Sequence, residues 1–207
     1  MIIGIDASNI RQGGGKTHLV ELISALDPKV QNFEKLIVWC NQDISKNFNN
    51  NSWLIIKTPI DLDMGLISRY IWQRFKLSRL AKSNFCDLLL VPGGSFSGKF
   101  KPFVTMSRNM LPFEWNEAKR YGVAIITLRL IILRFLQSKS YKNANGVIFL
   151  TKYAKDKVLK VSGNLTCKKS IIPHGLNSSF KITPKEQYLI SQYSNCLLYT
   201  SPSPRDS

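Results

Sequence analysis

Three glycines and two polar residues follow the first apolar segment of the chain, and they are the strongest candidate for binding chemistry. Gly13, Gly14 and Gly15 directly precede Lys16 and Thr17. Glycines let the backbone approach a ligand closely, and a helix that begins behind them directs unpaired N–H groups and a partial positive charge towards it. The segment therefore predicts a loop that binds a phosphate or a sugar hydroxyl.

Two nucleotide-binding motifs are nearly complete at this loop, but each lacks one glycine. The P-loop pattern Gly-x-x-x-x-Gly-Lys-Ser/Thr fits residues 15–17, whereas Ile10 stands where its first glycine belongs. The dinucleotide pattern Gly-x-Gly-x-x-Gly fits Gly13 and Gly15, whereas His18 stands in the third place. We adopt neither motif, and a glycine turn that only connects a strand to a helix remains an alternative.

Seven short apolar runs predict the strands that would position this loop. They lie at residues 1–6, 36–39, 53–56, 87–91, 102–106, 146–150 and 170–173. The runs are continuously apolar rather than alternating, as in a parallel sheet that helices cover on both faces. Helical spacing between them predicts helices at 16–26, 64–83, 123–136 and 151–160. The expected fold is a Rossmann-like, doubly wound, mostly parallel seven-stranded sheet.

Polar residues follow several of these strands, at the edge where open α/β sheets bind their ligands. Besides the glycine loop, the segments 93–97 and 107–114 come directly after predicted strands. The candidate substrate contacts in these segments, and after the last strand, are Ser95, Arg108, Asn109, Glu114 and His174. For His174 a packing or capping role is the stronger alternative, because a lone histidine after a strand is seldom catalytic.

The chain carries a large excess of positive charge. It has 29 lysine and arginine residues against 13 aspartate and glutamate, which gives a formal net charge of +16 over 207 residues. Such a charge attracts anionic partners, whether nucleic acid, phosphorylated substrates or an anionic membrane surface. Two segments, 64–83 and 118–155, contain no acidic residue, and each includes a long predicted helix.

The two long helices also carry apolar residues at helical spacing. In the helix at 64–83 the predicted buried positions are Ile67, Tyr70, Ile71, Phe75, Leu77 and Ala81. In the helix at 123–136 arginines interrupt the apolar residues, which fits either a core helix whose arginines reach solvent or a helix that lies in a membrane interface. We expect a core helix, with membrane contact through the basic residues as the alternative.

Cysteine usage and hydropathy indicate an intracellular setting. Cys40, Cys86, Cys167 and Cys196 show no paired spacing, which favours free thiols over a metal site or disulfides. No signal-peptide pattern precedes the first strand, and the apolar stretch 123–136 is too short to span a bilayer. We expect a cytoplasmic protein whose cysteines bind no metal.

Four separate segments, taken in order, resemble the amino-terminal half of family-4 (group 1) glycosyltransferases. They are residues 13–19 (GGGKTHL), 104–113 (VTMSRNMLPF), 147–151 (VIFLT), and 171–176 (IIPHGL) with Phe180. No single segment is decisive, but their order and spacing make a strong combined signal over roughly residues 1–180.

The resemblance implies a GT-B enzyme, in which two Rossmann-like domains face each other across a cleft. Such enzymes transfer a sugar from a nucleotide-sugar donor with retention of anomeric configuration and without a bound metal. Residues 1–180 would form the acceptor-side domain, and residues 181–195 a linker towards a donor-binding domain. The loop at 13–17 would approach the donor diphosphate and the acceptor, which would be a lipid-linked glycan or a bacterial surface polysaccharide such as lipopolysaccharide. The setting would be the inner face of the cell membrane, with peripheral contact to anionic lipid.

The chain departs from the family pattern in two respects. Many relatives have a His-Asp pair where this chain has Arg108 and Asn109. A guanidinium binds phosphate or carboxylate but cannot act as a base, so both residues are assigned to substrate positioning. The Glu-x7-Glu signature of the family's donor domain is not found in these 207 residues. We therefore expect no sugar transfer by the chain alone, and the catalytic residues stay unassigned.

The last twelve residues, 196–207, do not continue the pattern of strands and helices. Residues 200–207 contain no apolar side chain to pack, and they resemble translated adaptor or vector sequence. They are left out of the fold prediction.

Two other classes of function have some support in the sequence. A basic nucleic-acid-binding module would account for the charge, but no recognition-helix, zinc or aromatic-platform signature is present, so no nucleic-acid partner is expected. A nucleotide hydrolase would use residues 15–17 as part of a P-loop-like site.

Overall fold

The computed structural model describes residues 1–49, 51–119 and 125–175. The chain divides into two compact units, Met1–His174 and Gly175–Ser207, and every element given below belongs to the first. The predicted motif residues Leu176 and Phe180, the linker at 181–195 and the tail at 196–207 lie outside the described residues.

Seven parallel strands form one sheet, in the spatial order β3-β2-β1-β4-β5-β6-β7. The strands are β1 (Ile2–Asp6), β2 (Lys35–Trp39), β3 (Leu54–Lys57), β4 (Leu88–Val91), β5 (Phe103–Ser107), β6 (Gly146–Phe149) and β7 (Lys168–Ile171). The order runs outwards from β1 in both directions, so the two halves of the sheet meet between β1 and β4. The structure confirms the Rossmann-like doubly wound fold, and all the strands are parallel.

Helices connect the strands along the described chain. They are α1 (Gly14–Ser24), α2 (Pro28–Gln31), α3 (Gln42–Ser45), α4 (Leu66–Ile71), α5 (Ser78–Ser83), α6 (Trp115–Lys119), α7 (Ile125–Asn143) and α8 (Lys152–Ser162). A π-helical turn, Trp72–Leu77, joins α4 to α5 without a break. Short 3-10 turns lie at Ile60–Leu62 and Leu111–Phe113.

The core has two parts, one on each face of the sheet. Neighbouring residues of β2 show this division, because Ile37 and Trp39 pack in one part and Leu36 and Val38 in the other. Side chains alternate between the faces of a strand, so both faces are covered, as the continuously apolar runs predicted. Burying each such side chain contributes about 1.5–3 kcal/mol, and the two cores together hold the loops at the ends of the strands in place.

The predicted buried face of the helix at 64–83 is partly wrong. Leu77 and Ala81 are buried, but Ile67 is 77% exposed and Phe75 is 66% exposed. Tyr70 and Ile71 are also exposed. The side chains that face the sheet in their place are Trp72 and Gln73. The π-helical turn shifts the helical register at this point, and a buried glutamine has no hydropathy signal.

The predicted core helix at 123–136 also needs correction. The observed helix α7 continues to Asn143, and residues 123 and 124 lie outside the described residues. Its buried side chains are mainly in the second half, at Gln137, Ser140 and Tyr141, with Leu130 before them. Six apolar residues that precede Gln137 are exposed: Ile125, Ile126, Leu128, Ile131, Ile132 and Phe135.

Two further findings concern membranes and thiols in the described part of the chain. No described helix is both long enough and apolar enough to cross a bilayer. Cys40, Cys86 and Cys167 are free thiols, with Cys40 buried and the other two half-buried, while Cys196 lies outside the described residues.

Candidate functional site

The carboxyl ends of the strands gather the predicted polar segments at one edge of the sheet. All the strands are parallel, so the segments after β1, β4 and β5 share this edge, as the sequence predicted. The segments after β1 and β4 are in close approach, because a Cβ added to Gly93 would lie 3.3 Å from Asn9 Cβ. This is the point where the two halves of the sheet meet, and ligands of open α/β sheets bind at such points.

The glycine loop begins helix α1 and leaves its N-terminus open. Gly13 is the N-cap, with φ 66° and ψ −155°, a conformation that favours glycine. No side chain caps the helix and no acidic residue lies in its first turn. The unpaired N–H groups of that turn, together with the positive end of the helix dipole, can therefore face an anionic ligand.

Arg108, which follows β5, lies directly against this helix start. A Cβ added to Gly15 would be 2.8 Å from Arg108 Nη2, so the absence of a side chain at Gly15 makes room for the guanidinium. Burial lowers the pKa of Arg108, but a guanidinium stays protonated at neutral pH. A full positive charge thus lies beside the positive end of α1, and the two together favour an anion.

Two histidines meet close to Arg108. The rings of His18, on α1, and His174, after β7, have their centroids 4.4 Å apart in an edge-to-face arrangement. Burial, followed by the nearby charges of His174 and Arg108, lowers the pKa of His18 to about 4. His18 is therefore neutral at pH 7, and its Nδ1 is buried without a hydrogen-bond partner among the described residues.

A buried polar network supports the edge between β1 and β4. Asp6, the last residue of β1, accepts hydrogen bonds from the Ser8 amide (3.1 Å) and from Gln73 Nε2 (2.5 Å). The same Nε2 donates to the Ser95 carbonyl at 3.1 Å, and Gln73 Oε1 accepts from the amide and hydroxyl of Ser97. Burial raises the pKa of Asp6, against the opposing effect of these hydrogen bonds.

Two predicted contacts are partly engaged within the protein itself. Asn109 is exposed, and its Oδ1 accepts a hydrogen bond from the Leu111 amide at 3.1 Å, which shapes the turn after β5. Glu114 accepts hydrogen bonds from the hydroxyl of Tyr153 and from Lys157 Nζ (3.1 Å), both on α8. The Tyr153 hydrogen bond is the main cause of the lowered pKa of Glu114. Glu114 therefore ties the segment after β5 to α8.

The remaining predicted residues lie at the rim of the edge. Lys16 is half-buried and Thr17 is exposed, both in the first turn of α1. Ser95 is half-buried and its carbonyl is held by Gln73. In the part of the chain that the structure describes, no three histidine, cysteine, aspartate or glutamate side chains are grouped as metal ligands would be.

Sequence reasoning missed three members of this edge. His18 stood out only because it interrupts a glycine motif, and its contact with His174 joins segments 156 positions apart, a pairing that no local pattern shows. Asp6 ends the first predicted strand, and nothing in the pattern marks it as a site residue. Hydropathy does not mark Gln73 as buried. The one signal that could have indicated it is a polar residue on the side of a helix that faces the sheet.

Comparison with protein-family models gives no match to this chain, and comparison with curated proteins gives no significantly similar relative. Any function for the chain therefore has to be inferred from its own residues and their arrangement. That arrangement is an uncapped helix start, a partly buried guanidinium beside it and a neutral imidazole. It is suited to binding an anion such as a diphosphate, and no nucleophile with its own base is evident among the described residues at this edge.

Proposed function

We propose that this chain is the acceptor-side half of a retaining glycosyltransferase of the GT-B type. It would act on a nucleotide-sugar donor and a lipid-linked or polysaccharide acceptor. The proposal rests on the resemblance of four segments to family-4 glycosyltransferases, on the Rossmann-like fold, and on the anion-binding character of the carboxyl edge.

The observation that carries the proposal is the contact between segments that are far apart in sequence. The first resembling segment meets the second through Gly15 and Arg108. It meets the fourth through His18 and His174. A chance likeness of separate short segments gives no reason for them to share one edge, whereas a common binding site does.

In the proposed site, the first turn of α1 and Arg108 stabilise the diphosphate of the donor as it becomes the leaving group. Charge developing on that diphosphate is stabilised by N–H groups and a guanidinium that are already in place. Asn109 Nδ2 and His174 contact hydroxyl groups of the acceptor. The network of Asp6 and Gln73 keeps the segments after β1 and β4 at a fixed separation, so it positions the site.

The proposed setting is glycan assembly at the inner face of a membrane. The net charge of +16 favours both a phosphate-bearing acceptor and anionic headgroups. A second, donor-binding domain would complete the cleft, so the chain alone should not transfer sugar.

The decisive experiment measures binding of nucleotide sugars by saturation-transfer NMR. Binding to the chain should be weak, with a Kd of roughly 1 mM, because only one wall of the cleft contributes. Arg108→Gln should weaken it about tenfold or more, since one charge-assisted hydrogen bond is lost. Gly15→Ala should have a similar effect, because its methyl group displaces the guanidinium.

Gly14→Ala is the matched control, because a Cβ at that position meets nothing within 4 Å. It makes the same chemical change in the same helical turn and should leave binding intact. The proposal fails if no nucleotide sugar binds, or if Gly14→Ala and Gly15→Ala have equal effects.

The two other classes of function are tested in parallel. Hydrolysis of ATP or GTP that is lost in Lys16→Ala would indicate a nucleotide hydrolase. Tight binding to duplex DNA with a steep salt dependence would indicate a nucleic-acid-binding module.

A further inference from the structure

An open apolar groove lies between helix α4 with its π-helical continuation on one side and helix α7 on the other. Its volume is about 800 Å³, within the range of ordinary ligand sites. Leu66 and Tyr70 line one wall, and Leu128 and Ile132 line the other. All four of these side chains are substantially exposed in the described structure, Leu128 by 59%.

The groove starts at the same edge as the proposed site. Asn9, which follows β1, and Ser95, which follows β4, both line it, as does Gln73 of the buried network. On α7 the lining extends from Ile125 to Asn143, a length of about 27 Å at 1.5 Å per residue. The groove is therefore long and narrow, with one end at the carboxyl edge of the sheet.

The charged residues along the groove are all of one sign. Its basic lining residues are Arg74, Lys99, Lys101, Arg129 and Lys139, and none of its described lining residues is acidic. An apolar groove with a cationic rim is complementary to a hydrocarbon chain that carries a negative charge.

Three arginines lie near one another beside the groove, and one of them, Arg129, lines it. Arg69 donates to the Ser8 carbonyl at 3.4 Å, and Arg11 donates to the Met64 carbonyl at 3.1 Å. Burial, and then the neighbouring charges of Arg11 and Arg129, lower the pKa of Arg69. Within residues 1–49, 51–119 and 125–175, no ion pair involves any of these three arginines. Three neighbouring guanidinium groups with no ion-pair partner among the described residues favour a bound anion.

We propose that this groove binds a single-chain lipid phosphate, with the phosphate at Arg11, Arg69 and Arg129 and the hydrocarbon chain between α4 and α7. The proposal rests on the glycosyltransferase function above and names the chemical class of its acceptor. A phosphate held there lies at the carboxyl edge, next to the segments after β1 and β4.

The concave shape of the groove favours one lipid chain over a bilayer surface. Two helices flank the groove over most of its length, so a chain can be enclosed from both sides, whereas a bilayer surface would contact only the outer ridges. A bilayer contact also gives no role to the arginine cluster, in which Arg69 is held beside the strand ends by its hydrogen bond to the Ser8 carbonyl.

The test uses farnesyl phosphate below its micelle concentration, with binding to the full chain followed by change in tryptophan fluorescence and by isothermal calorimetry. Farnesyl phosphate should bind at micromolar concentration. Farnesol, which lacks the phosphate, and inorganic phosphate, which lacks the chain, should each bind about a hundredfold more weakly. Equal binding of farnesol and farnesyl phosphate would overturn the assignment of the phosphate to the arginine cluster.

Paired variants on α7 localise the binding. Arg129→Gln should weaken farnesyl phosphate binding about tenfold, because a charge-assisted hydrogen bond is lost. Its control is Lys142→Gln, an exposed residue of the same helix outside the groove. Leu128→Ser should weaken binding several-fold, whereas Phe135→Ser, also at an exposed apolar residue of α7 but outside the groove, should not. If the two variants of each pair weaken farnesyl phosphate binding equally, the groove is not its binding site.

Anionic vesicles test the remaining alternative, contact with a bilayer surface. Binding to phosphatidylglycerol vesicles without binding to monomeric farnesyl phosphate would overturn the proposal in favour of a bilayer contact. The nucleotide-sugar experiment with Gly15→Ala is independent of these variants. Lipid binding without nucleotide-sugar binding would leave the groove assigned and remove the glycosyltransferase proposal, and the reverse would remove the lipid site alone.

Discussion

Replacing Gln73 by methionine removes the centre of the polar network beneath the carboxyl edge while keeping a side chain of similar length. Gln73 is 3% exposed and connects Asp6 to the segment after β4. In Gln73→Met, one oxygen of the Asp6 carboxylate loses a side-chain donor, and the Ser97 amide loses its acceptor. Methionine fills most of the volume, so the main effect should come from lost hydrogen bonds rather than from a cavity.

The expected cost is about 3 kcal/mol of the free energy of unfolding. A hydrogen bond to a charged group contributes about 2 kcal/mol and an unpaired, partly buried amide costs about 1 kcal/mol. Asp6→Asn should also destabilise the protein, because either orientation of its amide directs an NH2 group at a donor, Ser8 N or Gln73 Nε2. In the Gln73→Met background one of these conflicts is gone, so the two substitutions should couple by about 1–2 kcal/mol.

The pH dependence of stability tests the prediction in a second, independent way. Burial raises the pKa of Asp6 above its ordinary value of 3.8. Its contribution to stability is therefore fully present below pH 3.8 and is lost as the pH rises through the folded-state pKa. Gln73→Met removes a hydrogen bond to the charged form, so the pKa rises further and the variant should lose more stability at pH 8 than at pH 4.5.

Urea denaturation of the two single variants and the double variant, at both pH values, measures these quantities. The reasoning is refuted if Gln73→Met costs less than about 0.5 kcal/mol at pH 8, or if the two substitutions are additive. Either result would mean that the network does not hold the segments after β1 and β4 together.

Two further predictions concern the core and the histidine pair. Gly4→Ala should destabilise the protein by about 1–3 kcal/mol in urea denaturation. The reason is that a Cβ at this position would lie 2.9 Å from a ring carbon of Trp39 in the packed core. A change in the free energy of unfolding of less than about 0.3 kcal/mol would contradict this packing of β1. The chain has two histidines, so NMR titration can follow both: the His18 resonance should titrate near pH 4, and His174→Gln should raise its pKa because a neighbouring positive charge is removed. A His18 that titrates near pH 6.5 would contradict its burial beside His174 and Arg108.

The sequence predicted the sheet well because its signal is local. Most strands are short apolar runs, and the two core clusters confirm that such runs are covered on both faces. β7 (Lys168–Ile171, KKSI) is the exception, because it begins two residues before the predicted run at 170–173 and is not apolar. The parallel order of the strands then brought the segments after β1, β4 and β5 to one edge without further information. Fold class and the approximate place of the site were therefore accessible from pattern alone.

The members of the site could be predicted only where they stand in a motif. Arg108 belongs to a resembling segment, whereas His18 becomes a site residue only through His174, which lies after the last strand. Gln73 was missed because hydropathy assigns a glutamine to the solvent side. The same rule placed Ile67 and Phe75 in the core, although they are exposed. The groove between α4 and α7 is lined by exposed apolar side chains such as Ile67, which hydropathy patterning places in the core. The pattern therefore could not have shown the groove.

The claim that matters most is that the first turn of α1, with Arg108 beside it, binds the diphosphate of a nucleotide sugar. The most direct measurement is a ¹⁵N–¹H NMR titration of the labelled chain with a nucleoside diphosphate, with Arg108→Gln as the comparison. We predict that the largest amide shifts fall on Gly14, Gly15 and Lys16, and that they collapse in Arg108→Gln. Shifts that fall elsewhere, or that persist unchanged without the guanidinium, would contradict the claim.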